Sequence, residues 1–306
     1  MNKIISQQMN TKQWLMLLLL SLLWGGSFFF VEVVISELAP LVIVFLRVGL
    51  ASLALWGVIL IRGIAIPKKM EVWKAFAVMG ILNNVIPFIL IVWGQVHVAS
   101  GLASILNATT PLFTVVVAGL LLTDERPSKL KLVGVGMGFL GAVIMIGPSA
   151  LEGLGSNIIA QAAVLSAALS YAFAGVYGRR FKAMSLHPTV AAAGQVTASS
   201  IFLMPLLYLS DQTMALSSVS MLAWIAVLGL AILSTAIAYT LYFHILASAG
   251  ATNLLLVTFL IPVSAVVLGI FVLEETLEYV HVIGMFFIML GLIAIDGRLW
   301  AFKHKQ

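Results

Sequence analysis

The sequence predicts an all-α integral membrane protein of ten transmembrane helices, built as two inverted five-helix repeats. Hydrophobicity sets the class, the placement of charge sets the number and direction of the helices, and internal repetition sets the symmetry. Of the 306 residues, 62% are hydrophobic and 9% are charged, with a mean hydropathy of +1.15. Ordinary soluble domains are about 45–50% apolar. The apolar runs here are about 20 residues long, enough to cross a hydrocarbon core of roughly 30 Å.

The runs are 13–34, 40–62, 73–95, 101–122, 130–147, 159–179, 188–209, 222–246, 252–273 and 279–298. The first resembles a signal peptide only in position. Its apolar stretch is too long and no small-residue cleavage site follows Phe28-Phe29-Phe30, so it is read as a retained helix. With the N-terminus in the cytoplasm, the cytoplasmic segments hold Lys3 and Lys12, then Arg62, Lys68, Lys69 and Lys74, then Arg126, Lys129 and Lys131. Arg179, Arg180 and Lys182 follow, and finally Arg298, Lys303 and Lys305, making 15 of the 16 basic residues. The opposite loops hold Glu37, Glu152, Asp211, Glu274, Glu275 and Glu278 and no basic residue. That asymmetry is the positive-inside pattern, and removing or adding one helix would scramble it. Only the short connection Ala247–Ala251 lacks charge and is placed by hydropathy alone. The expected location is a bacterial inner membrane, with both termini cytoplasmic. The net charge of +5 therefore reports topology and gives no support to nucleic-acid binding. There are no cysteines, hence no disulfides or thiol chemistry.

A cut near Gly155 gives two matching halves, 1–154 and 155–306. Trp73, Pro111, Gly119, Asp124-Glu125, Gly134 and Gly141 recur as Trp224, Pro262, Gly269, Glu274-Glu275, Gly284 and Gly291. The offset is 151 residues up to the prolines and 150 after them. Earlier helices match less closely: Arg47 falls opposite Gln195, and Trp24 near Tyr171. Five helices is an odd number, so the second half enters from the opposite face. Inverted repeats of this kind are typical of secondary transporters, which bind substrate near mid-membrane at the repeat interface.

Pro111-Leu112-Phe113, Gly119, Leu122-Thr123-Asp124-Glu125-Arg126, Gly134 and Gly141 resemble the signature of EamA domains, of the drug/metabolite transporter superfamily. Trp24-Gly25-Gly26-Ser27, Pro40 and Arg47 resemble the start of the same domain. The second copy, Pro262 through Gly291, carries Glu275 in place of Glu125. The resemblance implies a ten-helix bundle around a central cavity and export of amino acids or other small metabolites. The second copy lacks an Arg at 195 and a Trp-Gly pair near 171, so the halves are not interchangeable.

Polar side chains at bilayer depth are costly unless they face the bundle interior or water. Those near run midpoints are Trp24 and Ser27; Asn83 and Asn84; Asn107, Thr109 and Thr110; Ser166, Ser170 and Tyr171; Ser234, Thr235 and Tyr239; and Thr258. Runs 1, 3, 4, 6, 8 and 9 are thus expected to line a cavity. Runs 5 and 10, nearly all glycine and aliphatic, are expected at the periphery or facing a second copy. The candidate substrate contacts are Trp24, Ser27, Asn83, Asn84, Asn107, Thr110, Ser170, Tyr171, Thr235, Tyr239 and Thr258. Any one Ser or Thr more often bonds its own backbone or a neighbouring helix. Pro111 and Pro262, equivalent in the two repeats, are candidate hinges, because proline frees a carbonyl one turn back. Arg47 is the one basic residue placed inside the membrane, with Glu32 the nearest acid in sequence. A structural tether and a substrate carboxylate contact are both open to it. Glu125 and Glu275 are read as helix caps.

The sequence shows no metal-ligand spacing, phosphate loop, nucleophile elbow or midplane carboxylate pair, which disfavours an enzyme and implies no cofactor and no metal. The reading is a secondary transporter for small neutral or zwitterionic metabolites, working by alternating access. A passive channel or facilitator is the alternative.

Overall fold

The computed structural model describes residues 9–98, 100–123, 128–146, 154–210, 219–264 and 279–296. Glu125, Glu152, Asp211, Gly269, Glu274 and Glu275, which carried parts of the sequence reading, lie outside them. Among the described residues there is no strand. The helices are α1 (Thr11–Val34), α2 (Pro40–Ile61), α3 (Met70–Gly80), α4 (Ile86–His97), α5 (Ser100–Asn107), α6 (Thr110–Leu121) and α7 (Lys129–Ile146). They continue with α8 (Ile158–Gly178), α9 (Arg180–Ala183), α10 (Pro188–Leu209), α11 (Met221–Ala231), α12 (Ala238–Leu255), α13 (257–264) and α14 (Tyr279–Asp296). Among the described residues, seven stretches are long and apolar enough to cross a membrane: Thr11–Val34, Pro40–Ile61, Met70–His97, Leu102–Leu121, Ile158–Ala183, Pro188–Leu209 and Met221–Leu255. Tyr279–Ile295 is a shorter apolar helix. The protein is a multi-pass helical membrane protein. Its exposed apolar side chains, such as Ile61, Leu120 and Tyr208, are what a lipid-facing surface requires.

The helices start where the sequence supplies caps. Asn10 and Gln13 form a reciprocal capping box on α1, and Pro40 and Pro188 open α2 and α10, where a missing N–H costs nothing. Asn157 and Ser220 cap α8 and α11. Gly155, in the turn before α8, has φ +85°, a left-handed conformation that favours glycine. The expected break between runs 8 and 9 is sharper than a five-residue connection: only Gly250 leaves helical geometry, at φ 85° and ψ 175°.

Two stretches depart from α-helix at matching places. Ile81–Val85 joins α3 to α4 as a π-helical turn, and Ile232–Ile237 joins α11 to α12 in the same way, starting 151 residues later. A π turn inserts a residue and opens the regular ladder, and the carbonyls around both turns accept bonds from other helices. Ser170 Oγ donates to the Leu82 carbonyl at 2.7 Å, Tyr239 OH to the Asn83 carbonyl at 3.0 Å, and Arg47 Nη2 to the Ser234 carbonyl at 3.3 Å.

Packing pairs the elements in a regular way. α4 lies on α8 as α1 lies on α11 and α12; α3 lies on α10 as α2 lies on α11; and α2 packs on α10. α7 and α14 pack on each other, outside the helices that line the cavity, so runs 5 and 10 form a peripheral pair. Their contact is glycine on glycine. A Cβ added to Gly134 would meet the Gly291 carbonyl at 2.8 Å, and one on Gly141 the Gly284 carbonyl at 2.7 Å.

Candidate functional site

A central cavity of about 640 Å³, counting its mouth, lies among α1, α2, α4, α5, α6, α8, α12 and α13. Its walls are aromatic: Trp24, Phe28, Phe88, Tyr171 and Tyr239. Trp24 meets Tyr239 edge-on at 6.2 Å, and Phe88 stacks on Tyr239 at 6.5 Å. The polar groups are few: the amides of Gln95 and Asn107, the hydroxyls of Ser27, Thr110 and Thr258, and the guanidinium of Arg47.

Of the sequence candidates, Trp24, Ser27, Asn107, Thr110, Tyr171, Tyr239 and Thr258 line this cavity, and so does Arg47. Asn83, Asn84, Ser170 and Thr235 do not. Asn83 Nδ2 donates to Gln195 Oε1 on α10 at 3.1 Å, and Ser170 ties α8 to the π turn. Asn84 is fully buried with neither amide atom hydrogen-bonded. Thr235 Oγ1 accepts from Arg47 Nε at 2.8 Å and donates to the Leu230 carbonyl at 2.7 Å. Asn83, Ser170 and Thr235 hold helices together around the π turns. Pro111 opens α6 after a break at Ala108–Thr109, and the carbonyl one turn back, that of Asn107, accepts the Thr110 hydroxyl at 2.6 Å. Pro262 is buried in α13.

Arg47 is buried, 7% exposed. Its partners are Thr235 Oγ1, the Ser234 carbonyl and the face of Phe88, 3.9 Å below the guanidinium carbon. Glu32 sits on an exposed face of α1. Arg47 and its counterpart Gln195 thus reach the two π turns in parallel fashion: Arg47 to Ser234 and Thr235, and Gln195 to Asn83, which stands 151 residues before Ser234.

The sequence reading missed Phe28, Val31, Phe88, Ile91, Val92, Gln95, Leu255 and Ile261. The repeat offset contained part of that signal. Adding 151 residues takes Phe88 to Tyr239, Asn107 to Thr258 and Thr110 to Ile261, and all six line the cavity. Trp24 and Tyr171, the looser pair, also line it.

Beyond Tyr239 the bundle is packed with apolar side chains. On α12, the turns after Tyr239 carry Tyr242, Phe243 and Leu246, all buried. Phe181 packs between Phe76 and Phe243, with ring centroids 5.5 Å apart on each side. Gly178 leaves just enough room for Leu246 and Met79: a Cβ there would lie 2.8 Å from one and 3.1 Å from the other. On α1 and α4, by contrast, the lining runs through Val31 and Gln95 to the ends of the helices.

The sequence pattern of the EamA-like transporter family matches twice, over residues 11–147 and 158–295. The chain belongs to that family. An uncharacterized transporter of Archaeoglobus fulgidus is 28% identical over 285 residues, covering 93% of this chain and 98% of its own. The uncharacterized inner membrane transporter YedA of Escherichia coli K12 is 25% identical, covering 94% and 91%. Protein PecM of Dickeya dadantii is 26% identical, covering 92% of each. A crystal structure 19% identical in sequence superposes with a TM-score of 0.77 over 97% of this chain and 100% of that one, which establishes a shared fold. The two family matches flank Gly155, and the protein is a membrane transporter of this family.

Proposed function

We propose that the protein is a secondary transporter that exports amino acids or similar small zwitterions by alternating access, through ten membrane helices in two inverted repeats. One observation carries the reading: the cavity is lined by pairs of residues related by the repeat offset, Trp24 with Tyr171, Phe88 with Tyr239, Asn107 with Thr258 and Thr110 with Ile261. A site shared by both halves is what a pseudo-two-fold axis through the substrate position produces. The π turns at matching places support the same axis, as does the antiparallel glycine seam, where Gly134 meets Gly291 and Gly141 meets Gly284. Such reciprocal contacts are those of a two-fold interface.

In the proposed topology both termini are cytoplasmic in an inner membrane, and Glu37 marks the external side. The cavity then opens outward, toward Val31 and Gln95, and Phe243, Leu246 and Gly178 close the inside. The offsets relate Val92, Gln95 and Val31 to those same three residues, so the inward-open state would exchange the lining and the seal. The buried Tyr242, Phe243 and Leu246 speak against a channel open at both ends.

The test is counterflow. Purified protein in liposomes preloaded with an unlabelled amino acid should accumulate labelled amino acid from outside, and a panel of the twenty amino acids should rank by side chain. Absence of exchange by folded protein for every member of the panel rejects the reading, and single-channel currents would favour a pore.

A further inference from the structure

Within the cavity one group stands apart in chemistry. Arg47 is buried at bilayer depth, where an isolated charge is expensive unless water or a counter-charge meets it. A guanidinium has five N–H groups. Two bond Thr235 Oγ1 and the Ser234 carbonyl, and the Phe88 ring covers one face. Among the described residues the cavity lining contains no Asp or Glu, so a carboxylate bound there would itself supply the counter-charge. The second repeat carries no such cation: Gln195 stands in Arg47's place and spends its side-chain oxygen on Asn83. The cavity also offers an acceptor without a partner, Asn107 Oδ1, on a side chain 6% exposed. One fixed cation, one orphaned acceptor and aromatic walls describe a ligand with one anionic end, one donor end and an apolar body.

We propose that Arg47 is the carboxylate anchor of the cavity and a determinant of its selectivity for ligands that carry a single anionic group. The inference rests on the transporter reading for the location of the ligand, and it adds the group that recognises it. Thr235 and Ser234 hold the guanidinium against the Phe88 face, and the three remaining N–H groups take the carboxylate oxygens. Asn107 Oδ1 receives the ammonium. Because only one repeat has the cation, the ligand binds in one orientation although its site lies between two similar halves.

The test uses matched pairs: each L-amino acid and its amide, which keeps the side chain and the ammonium and loses the carboxylate. Binding is read in detergent by calorimetry and by the ligand-induced rise in unfolding temperature. Exchange is read separately in liposomes. Wild-type protein should prefer the acid of its best pair by roughly ten- to a hundredfold, as charge-assisted hydrogen bonds require. Arg47→Gln, which copies the second repeat, should erase that preference while binding the amide within about threefold of wild type. Arg47→Lys should restore part of it. Equal binding of acid and amide by wild-type protein overturns the anchor and leaves transport standing. Binding with the predicted preference but without exchange overturns transport and leaves the anchor standing. Because the acid-to-amide ratio of wild-type protein decides the matter, a variant that fails to fold does not protect the proposal. Asn107→Ala is the second variant; it should weaken acid and amide alike, and a selective loss of the acid would contradict the assignment of the ammonium.

Discussion

The seam between α7 and α14 yields a prediction that needs no knowledge of the substrate. A Cβ placed on Gly291 would lie 2.5 Å from the Gly134 carbonyl oxygen and 2.7 Å from the Gly138 nitrogen. Both opposing atoms are backbone, so no rotamer change relieves the clash. Ordinary contact begins near 3.4 Å, so the difference, about 0.9 Å, is the distance by which the helices must part. A gap of roughly 0.5–1 Å forfeits a quarter to a half of each dispersion contact along the seam, and overpacking a close-packed core costs about 1–3 kcal/mol. Alanine returns up to about 1 kcal/mol in helix propensity. Gly291→Ala should therefore destabilise the protein by about 1–2 kcal/mol and lower its unfolding temperature in mild detergent by a few degrees. Gly136→Ala is the control: it lies on the same helix as Gly134 and its Cβ would meet nothing within 4 Å, so its unfolding temperature should hold or rise. Gly134→Ala and Gly141→Ala should resemble Gly291→Ala. Equal unfolding temperatures for the Gly136 and Gly291 variants would refute the close approach of the two backbones.

Three further outcomes are expected. Pro111→Ala and Pro262→Ala should slow exchange several-fold while moving the unfolding temperature by a degree or two; flux lost in proportion to folded protein would make both prolines purely structural. Single cysteines, introduced into a chain that has none, should react with an impermeant reagent from outside at positions flanking Glu37 and not at those flanking Lys69 or Arg180; the reverse labelling would invert the topology. Glu37 accepts from the Ser220 backbone N–H and hydroxyl, both at 2.7 Å, and these bonds, the backbone one first, hold its carboxyl below the usual 4.5. A depressed carboxylate contributes stability above its unfolded value and loses it as pH falls through the folded one. Glu37→Gln should therefore cost a little stability at pH 7, with the gap to wild type closing below pH 4.5; a gap independent of pH would show that charge plays no part.

Much of the fold was legible because bilayer burial writes itself into composition. The helices agree with the apolar runs to within a few residues, and Gly250 divides runs 8 and 9 where charge was silent. The π turns were not legible. Ile81–Val85 and Ile232–Ile237 have no distinctive composition; what marks them is the set of partners that their carbonyls find on other helices. The site was legible where a side chain is both polar and central, as with Asn107 and Tyr239. It failed at Asn83, because polarity at mid-depth says that a side chain must be satisfied and does not say by what. Gln195 satisfies Asn83, and Gln195 was visible only as the place where an arginine was missing. Phe88 and Ile261 escaped because apolar residues in an apolar helix give no local signal; only the repeat offset distinguishes them from the lipid-facing majority.

The same offset bears on how the two halves share the work. The residues that seal one end, Tyr242, Phe243 and Leu246, stand 151 positions after Ile91, Val92 and Gln95, which line the open end. In alternating access these sets would trade places. The trade is unequal: the first set buries two aromatic rings and a leucine, and the second, in which Val92 is already buried, would add only Ile91 and the amide of Gln95. Apolar burial contributes about 25 cal/mol per Å², and an amide taken out of water must keep its hydrogen bonds to avoid a penalty. In the proposed cycle, closing the Gln95 end would thus be the less favourable of the two closures when the cavity is empty. A ligand shifts such an equilibrium only by binding one state better than the other, and Arg47, tied to the π turn through Thr235 and Ser234, is the group through which a carboxylate would reach that turn. On the proposed mechanism, the imbalance between the two sets and the imbalance between Arg47 and Gln195 would serve one purpose: the repeat would supply two states, and its departures from symmetry would decide which is occupied and what moves the protein between them.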